Sequence, residues 1–274
     1  MLEVTNVGVT YGTGPTKVEA IRELSFSVGA GEFVSIVGPS GCGKTTLLKC
    51  LSGLMRPTSG EARLNGSTIA GPPADLALVF QEYTRSLMPW LSVKGNILLP
   101  LKSKGLPKAE MQGRAQEAVN AVGLPDVLDR YPWQLSGGMQ QRVAIARALA
   151  YQPKVMLMDE PFASVDAQTR SDLEDLMLKV QRDLGLTVVF VTHDVDEAVY
   201  LGDRVVVLGR PPTSVREAVD VSLPRPRDQI ATKELREFSH LRTEILRLIK
   251  RGPDEQGGSG PVAQPTAGTI EKVS

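Results

Sequence analysis

Three stretches of this chain carry residue types whose spacing suits phosphate chemistry. The first is Gly38-Pro39-Ser40-Gly41-Cys42-Gly43-Lys44-Thr45-Thr46, which fits the phosphate-loop pattern G-x-x-x-x-G-K-[ST]. Its glycines allow a tight turn that aims backbone N–H groups inward at an anion, and the helix that follows adds the positive end of its dipole. Lys44 is placed to reach the β- and γ-phosphates of a nucleoside triphosphate, and the Thr45 hydroxyl to ligate Mg²⁺. The second stretch, Val155-Met156-Leu157-Met158-Asp159-Glu160, is an apolar strand ending in two carboxylates. Brought beside the strand that feeds the phosphate loop, Asp159 is expected to hold the cation. Glu160, one residue on and so on the other side of the strand, is expected to face the γ-phosphate as a general base. The third, Leu135-Ser136-Gly137-Gly138-Met139-Gln140-Gln141-Arg142, opens a helix: Ser136 is a good N-cap and the two glycines leave backbone N–H groups uncovered. One γ-phosphate cannot occupy two such helix starts in a single chain, which suggests a contact from a second copy. Each stretch has a plainer alternative: a helix-capping turn, a solvated acidic strand end, an ordinary helix start.

The surrounding elements are those that such loops need. Phe33–Val37 reads as a buried strand before the first loop and the residues from Thr46 as a helix after it. Strand patterns also occur at residues 2–10, 24–28 and 76–80. A hairpin is expected about the Asn65-Gly66 turn. From about 92 to 149 the pattern is helical, with Val93, Ile97 and Leu101 on one face and Ala115, Val119 and Val122 on another. Strands return at 155–158, 187–192 and 204–208. Leu173, Leu176, Met177, Val180 and Leu184 form a helical stripe between the first two of these. Such alternation predicts an α/β fold with a parallel sheet. A last helix is expected over about 232–250. Its basic face, including Arg236, Arg242 and Arg247, reads as solvated, or else as a surface for an anionic partner. Residues 251–274, rich in Gly, Pro, Ser and Gln, read as a disordered tail.

Bulk properties narrow the class. Lys plus Arg and Asp plus Glu both number 31, which gives no basic surplus for nucleic acid. Both cysteines, Cys42 and Cys50, lie in the first loop and its helix, so no disulfide framework is expected and a reducing compartment fits. Cys42, at a helix start, is expected to have a lowered thiol pKa and to be reactive unless bound ATP shields it. No signal peptide or membrane-spanning run is read, so a membrane role requires a partner.

The stretch L-S-G-G-x-x-x-R resembles the signature of ABC ATPases, and the resemblance covers roughly residues 1–250. It implies a P-loop NTPase of the ABC type, with a mixed sheet core, an N-terminal antiparallel β portion and an inserted helical subdomain at about 88–150. It also implies ATP hydrolysis with ATP and Mg²⁺. Tyr11 matches the aromatic residue that stacks on adenine, and Gln81 the Q-loop glutamine, which contacts Mg²⁺ and the attacking water. Ala163-Ser164-Val165-Asp166 matches the D-loop, with Val165 where Leu is commoner, and His193 matches the switch histidine at the γ-phosphate. Two copies are expected to pair head to tail, each ATP lying between the 38–46 loop of one and Ser136, Gly137, Gly138 and Gln140 of the other.

The Tyr131-Pro132-Trp133-Gln134 segment and Thr192-His193-Asp194-Val195-Asp196-Glu197-Ala198 resemble the importer branch. Residues 81–90, ending Leu87-Met88-Pro89-Trp90, and Leu223-Pro224-Arg225-Pro226-Arg227 resemble the nitrate, sulfonate, taurine and bicarbonate importer group. That implies a subunit at the cytoplasmic face of the membrane, bound to permease subunits that dock near residues 82–95 and serving a substrate-binding protein. An exporter subunit and a soluble ABC ATPase are the alternatives. No coiled-coil insertion or second module speaks for the soluble one.

Overall fold

Two runs in the first third of the chain and four in the rest make the central sheet, and three of them, β3 (Phe33–Val37), β7 (Val155–Asp159) and β8 (Thr187–Val191), are buried at every residue. Strands apolar on both faces belong inside a parallel sheet covered by helices. The computed structural model, which describes residues 1–81 and 86–250, shows that sheet in the order β10-β9-β3-β8-β7-β6. Here β6 is Leu76–Val79, β9 is Arg204–Leu208 and β10 is Val215–Asp220. All neighbours are parallel except β10, which pairs antiparallel with β9. β10 was not expected from the sequence: it is a half-exposed edge strand whose Val-Arg-Glu-Ala-Val-Asp run lacks an apolar signature.

The N-terminal part folds separately as a four-stranded antiparallel sheet, β2-β1-β4-β5. β1 is Leu2–Tyr11, β2 Val18–Val28, β4 Ser59–Leu64 and β5 Ser67–Thr68. β4 and β5 form the expected hairpin, and its turn residues Asn65 (φ 49°) and Gly66 (φ 82°) both have the positive φ of a type I′ turn. Leu2, Val7, Ile21 and Leu24 bury one face of this sheet in a core shared with Val34, Ile36, Leu47 and Leu48. The small sheet is thereby fastened to the strand and helix on either side of the phosphate loop.

The 92–149 region contains helices Val93–Leu101, Lys108–Ala121 and Gly137–Ala150. Val93, Ile97, Leu101, Ala115, Val119 and Val122 are all fully buried, as their spacing predicts. Asn96, also buried, accepts from the Met88 N–H (2.7 Å) and donates to the carbonyls of Met88, Leu91 and Ser92 (each 3.1 Å). It thus ties the 88–92 turn to the helix and leaves Trp90 71% exposed.

Helix Ala167–Leu184 departs from its expected stripe at one end: Leu184 is 60% exposed, at the final turn where the helix stops at left-handed Gly185. The last helix is Arg236–Lys250, shorter than expected. Before it, the Asp228 carboxylate accepts from the N–H groups of Ile230 and Ala231, and the Thr232 hydroxyl from that of Asp228, which holds a turn where a helix would otherwise begin. Phe238, Ile245 and Leu248 are buried, and Arg242, one turn beyond Phe238 and flanking that stripe, pairs with Asp196 at 2.7 Å. The L-x-R-P-R stretch is a strap: Leu223 is buried, Arg225 pairs with Asp203, and Arg227 donates to the carbonyl of Tyr200 at the end of helix Val195–Leu201 (2.5 Å). The expected tail, residues 251–274, lies outside the described residues. Among the described residues no helix is long and apolar enough to cross a membrane.

Candidate active site

Four parallel strands deliver four candidate groups to the same edge of the sheet. β3 ends in the 38–46 loop, β8 runs on to His193, β7 ends at Asp159 followed by Glu160, and β6 is followed by Gln81. This is the carboxyl edge, where open α/β sheets bind ligands. The strand order corrects one expectation. β7 is not beside β3; β8 lies between them, with Asp159 in register with Val191. The intervening strand is what brings His193 between the phosphate loop and Glu160.

The 38–46 loop has the conformation its glycines allow. Gly41 (φ 74°) and Gly43 (φ 92°) are left-handed, and Gly43 is the N-cap of helix Lys44–Leu51. The Lys44 ammonium, buried, donates to the carbonyls of Gly38 (3.0 Å) and Pro39 (3.2 Å) and lies 4.0 Å from a Glu160 oxygen. The Tyr11 hydroxyl is 3.0 Å from Thr46 Oγ1, so this half-exposed ring stands at the mouth of the loop. Asp159 is buried and accepts a hydrogen bond from Thr45. Burial raises its pKa above the usual carboxylate range, the Thr45 bond opposing. A buried carboxylate joined to a hydroxyl, at a loop built for phosphates, suits a hard cation that keeps phosphate and water oxygens as its other ligands. Among the described residues no cluster of three or more His, Cys, Asp or Glu that could hold a metal ion is found.

Glu160 is the meeting point. Its Oε2 is 2.9 Å from His193 Nδ1 and accepts from Gln81 Nε2 at 3.2 Å. The residue is redirected by its backbone, not by strand alternation: Glu160 has φ 42°, a left-handed conformation uncommon for a residue other than glycine and costly enough to need support. That support includes its N–H, bonded to the Val191 carbonyl at 2.9 Å.

Ser136, Gly137, Gly138 and Gln140 are held elsewhere. Ser136 caps its helix by accepting from Met139 N–H (3.4 Å), and Gln140 Nε2 donates to the Leu135 carbonyl (3.1 Å). Gly138 is pressed against the next helix: a Cβ there would fall 2.4 Å from Thr169 Cγ2. Among the described residues no hydrogen bond joins these four to Lys44, Asp159 or Glu160. Asp166 caps helix Ala167–Leu184, accepting from Thr169 N–H (3.0 Å) and hydroxyl (2.7 Å), bonds that lower its pKa.

Cys42 corrects a second expectation. The thiol is fully buried, and burial pushes its pKa up, outweighing Lys44 and the local backbone N–H groups. It is a packed core residue of the loop, and its burial opposes thiolate formation. Two polar residues gained no role from the sequence, Arg170 and Glu197. Glu197 is buried in helix Val195–Leu201, Val-Asp-Glu-Ala-Val-Tyr-Leu; its signal in the sequence was its place in the importer-like stretch Thr192–Ala198, which gave it no role in the site.

A nucleotide-binding α/β ATPase is what this fold and the loop at its carboxyl edge define. The ABC transporter family model matches residues 21–163. An uncharacterized ABC transporter ATP-binding protein of Methanocaldococcus jannaschii is 48% identical, covering 91% of each chain. The nitrate transport protein NasD of Klebsiella oxytoca is 40% identical over 91% of this chain and 96% of its own. The aliphatic sulfonates import ATP-binding protein SsuB 1 of Xanthomonas axonopodis pv. citri is 44% identical over 84% and 89%. Among solved structures, the dimeric ATP-binding cassette MJ0796 in a post-hydrolysis state bound to ADP and Pi superposes with a TM-score of 0.71 at 35% identity, over 81% of this chain and 99% of that one. The chain belongs to the ABC transporter ATP-binding family, and it is an ATP hydrolase.

Proposed function

We propose that this chain energises import of a small solute, of the nitrate, sulfonate or bicarbonate kind, by binding and hydrolysing ATP between two copies that engage a separate permease at the cytoplasmic face of the membrane. The observation that carries the reading is the separation of the two phosphate-directed helix starts, Gly43–Lys44 and Ser136–Gly137, in one chain. Head-to-tail pairing lets each copy supply one of them to each nucleotide. The relatives named for nitrate and sulfonate transport support the solute class.

Bound ATP supplies the phosphoryl group and Mg²⁺ offsets its charge. In this reading the 38–46 backbone and Lys44 hold the phosphates, while Tyr11 offers its ring to the base. Thr45, Asp159 and Gln81 are the residues for the cation. Glu160 takes a proton from the attacking water, and His193, sharing its Oε2, fixes that carboxylate and faces the γ-phosphate. Ser136, Gly137, Gly138, Gln140 and Asp166 face the partner copy's nucleotide. Trp90 (71% exposed) and Trp133 (69% exposed, its ring stacked on Tyr131 with centroids 5.9 Å apart) form the apolar surface for the permease. The backbone bonds Val93 N–H to Arg130 carbonyl (2.7 Å) and Lys94 N–H to Leu128 carbonyl (2.8 Å) hold these two segments side by side. Part of the expected docking stretch, residues 82–85, lies outside the described residues.

The test is purification of the tagged chain from gently solubilised membranes, with the partners identified by mass. A permease together with a binding protein for small anions supports the reading. A membrane partner without any binding protein would assign the chain to export, and no membrane partner would overturn the transport reading.

A further inference from the structure

Behind Glu160 and His193 lies a narrow crevice lined by Arg170, Thr192, Asp194 and Glu197. Arg170 is the fourth residue of helix Ala167–Leu184, and it reaches three ways. Nε lies 3.5 Å from Glu197 Oε1, Nη1 lies 3.6 Å from Asp194 Oδ2, and Nη2 donates to the Val165 carbonyl at 3.4 Å. These are ion-pair spacings more than tight hydrogen bonds, and buried Nε has no hydrogen-bond partner among the described residues. Glu197 in turn accepts from the Thr192 hydroxyl at 2.6 Å, and Thr192 Oγ1 accepts from Asp194 N–H at 3.0 Å. These two bonds clamp the chain on both sides of His193. On its other side, the same helix turn carries Thr169, which bonds Asp166 and packs on Gly138. A continuous set of contacts therefore joins Gly138, the helix start and the loop bearing His193.

We propose that Arg170 and Glu197 are positioning residues for hydrolysis, holding the His193 loop in register with residues 163–166 and, through that helix start, with Gly138. The inference rests on the reading that Glu160 and His193 act at the γ-phosphate. Physically, Glu197 is a buried carboxylate whose only facing cation among the described residues is Arg170. Asp194 from its own loop and Glu174 from the Arg170 helix are the like charges beside it, while Arg242 of the last helix is taken up by Asp196. Because Arg170 reaches the Val165 carbonyl, Asp194 and Glu197 at once, a shift of segment 163–166 can be passed to the loop bearing His193.

The experiment measures ATP hydrolysis, ATP affinity and melting temperature on the full chain. The variants are Arg170→Gln, Arg170→Lys, Glu197→Gln and the Arg170→Gln/Glu197→Gln double. Arg170→Gln and Glu197→Gln should each lower kcat roughly ten- to a hundredfold, the range for misplaced catalytic groups, with ATP affinity held within about twofold. Arg170→Lys should recover part of the loss, and the double variant should be no worse than the poorer single. Glu197→Gln should also remove a limb of the pH–rate profile that Arg170→Lys retains. Unchanged kcat, losses that multiply in the double variant, or losses that follow ATP affinity or melting temperature would overturn the proposal. Should Glu197→Gln fail to fold, the half-exposed Arg170 pair decides it alone. His193→Ala and Glu160→Gln run alongside: wild-type kcat in those two would break the reading of the site itself, independently of Arg170.

Discussion

Glu160 gathers the chemistry of the site because three side chains from three loops converge on its carboxylate: His193 at 2.9 Å, Gln81 at 3.2 Å and Lys44 at 4.0 Å. Replacing it with Gln keeps the shape and most hydrogen bonds but removes the carboxylate proposed as the base. Glu160→Gln should lower kcat by about 10²–10⁴-fold, the usual worth of a general base, while ATP affinity stays near that of wild type; a radiolabelled-phosphate release assay beside nucleotide binding checks both. Cys42 makes the opposite point, that a loop motif does not by itself confer reactivity. Buried with a raised pKa, it should label with iodoacetamide only slowly at pH 7.5 in the folded chain, with or without ATP, and rapidly in denaturant. Fast labelling of the native chain that ATP suppresses would restore the expectation drawn from sequence. Glu197 carries a stability signature as well. Burial first, and the Asp194 and Glu174 charges behind it, push its carboxyl from 4.5 to about 7, with the Thr192 bond opposing. A group whose folded pKa is raised contributes stability that is complete below about 4.5 and lost as pH rises through about 7. Wild type should therefore lose stability relative to Glu197→Gln between pH 5 and 8 in urea titrations, a difference of order 2 kcal/mol or less.

At the scale of elements, what was legible in the sequence was what burial and loop chemistry dictate locally. β3, β7, β8 and β9 are apolar throughout or nearly so, and their bounds follow directly from the residues. The helix start at Gly137 follows from Ser136, while the helix read from Thr46 begins two residues earlier, at Lys44. Lateral order was not legible. Nothing local places β8 between β3 and β7, because strand order is decided by crossover packing among elements distant in sequence. Edge strand β10 and the turn at 228–235 escaped for a related reason: one is stabilised by its neighbour β9, the other by side chains of Asp228 and Thr232 that compete with the helix. Asn96 shows how a single polar residue can organise an element. Its four hydrogen bonds hold the 88–92 turn that displays Trp90. Asn96→Leu leaves those backbone groups unsatisfied, so it should cost about 1–3 kcal/mol and broaden or shift the Trp90 fluorescence, while ATP binding at the distant loop persists. Undisturbed fluorescence in a destabilised variant would mean that the turn is held by other contacts.

The whole molecule carries the 38–46 loop and, apart from it, the helix start at Ser136, and among the described residues no hydrogen bond joins the two. The Lys44 edge of the sheet is closed by its own strands, and Ser136 and Gly138 turn instead to their helix and to Thr169. If each nucleotide is shared, two defective chains should repair one another. Lys44→Ala disables the phosphate loop and spares the Ser136 end. Ser136→Glu places a carboxylate against an incoming triphosphate, a like-charge contact that opposes pairing, and spares the phosphate loop. Each variant alone should hydrolyse ATP at the background rate, since every site in either homodimer is defective. Mixed, they form heterodimers in which one site combines the intact Lys44 of one copy with the intact Ser136 of the other. Activity should therefore appear on mixing, rise more steeply than linearly with total protein, and reach at most one working site per pair. Because the surviving site needs both chains, dilution should abolish it faster than it abolishes wild-type activity. A mixture as inactive as its components, with each variant still folded and the Ser136→Glu chain still binding ATP, would place the complete site within a single chain and leave the Ser136 helix start a purely structural cap.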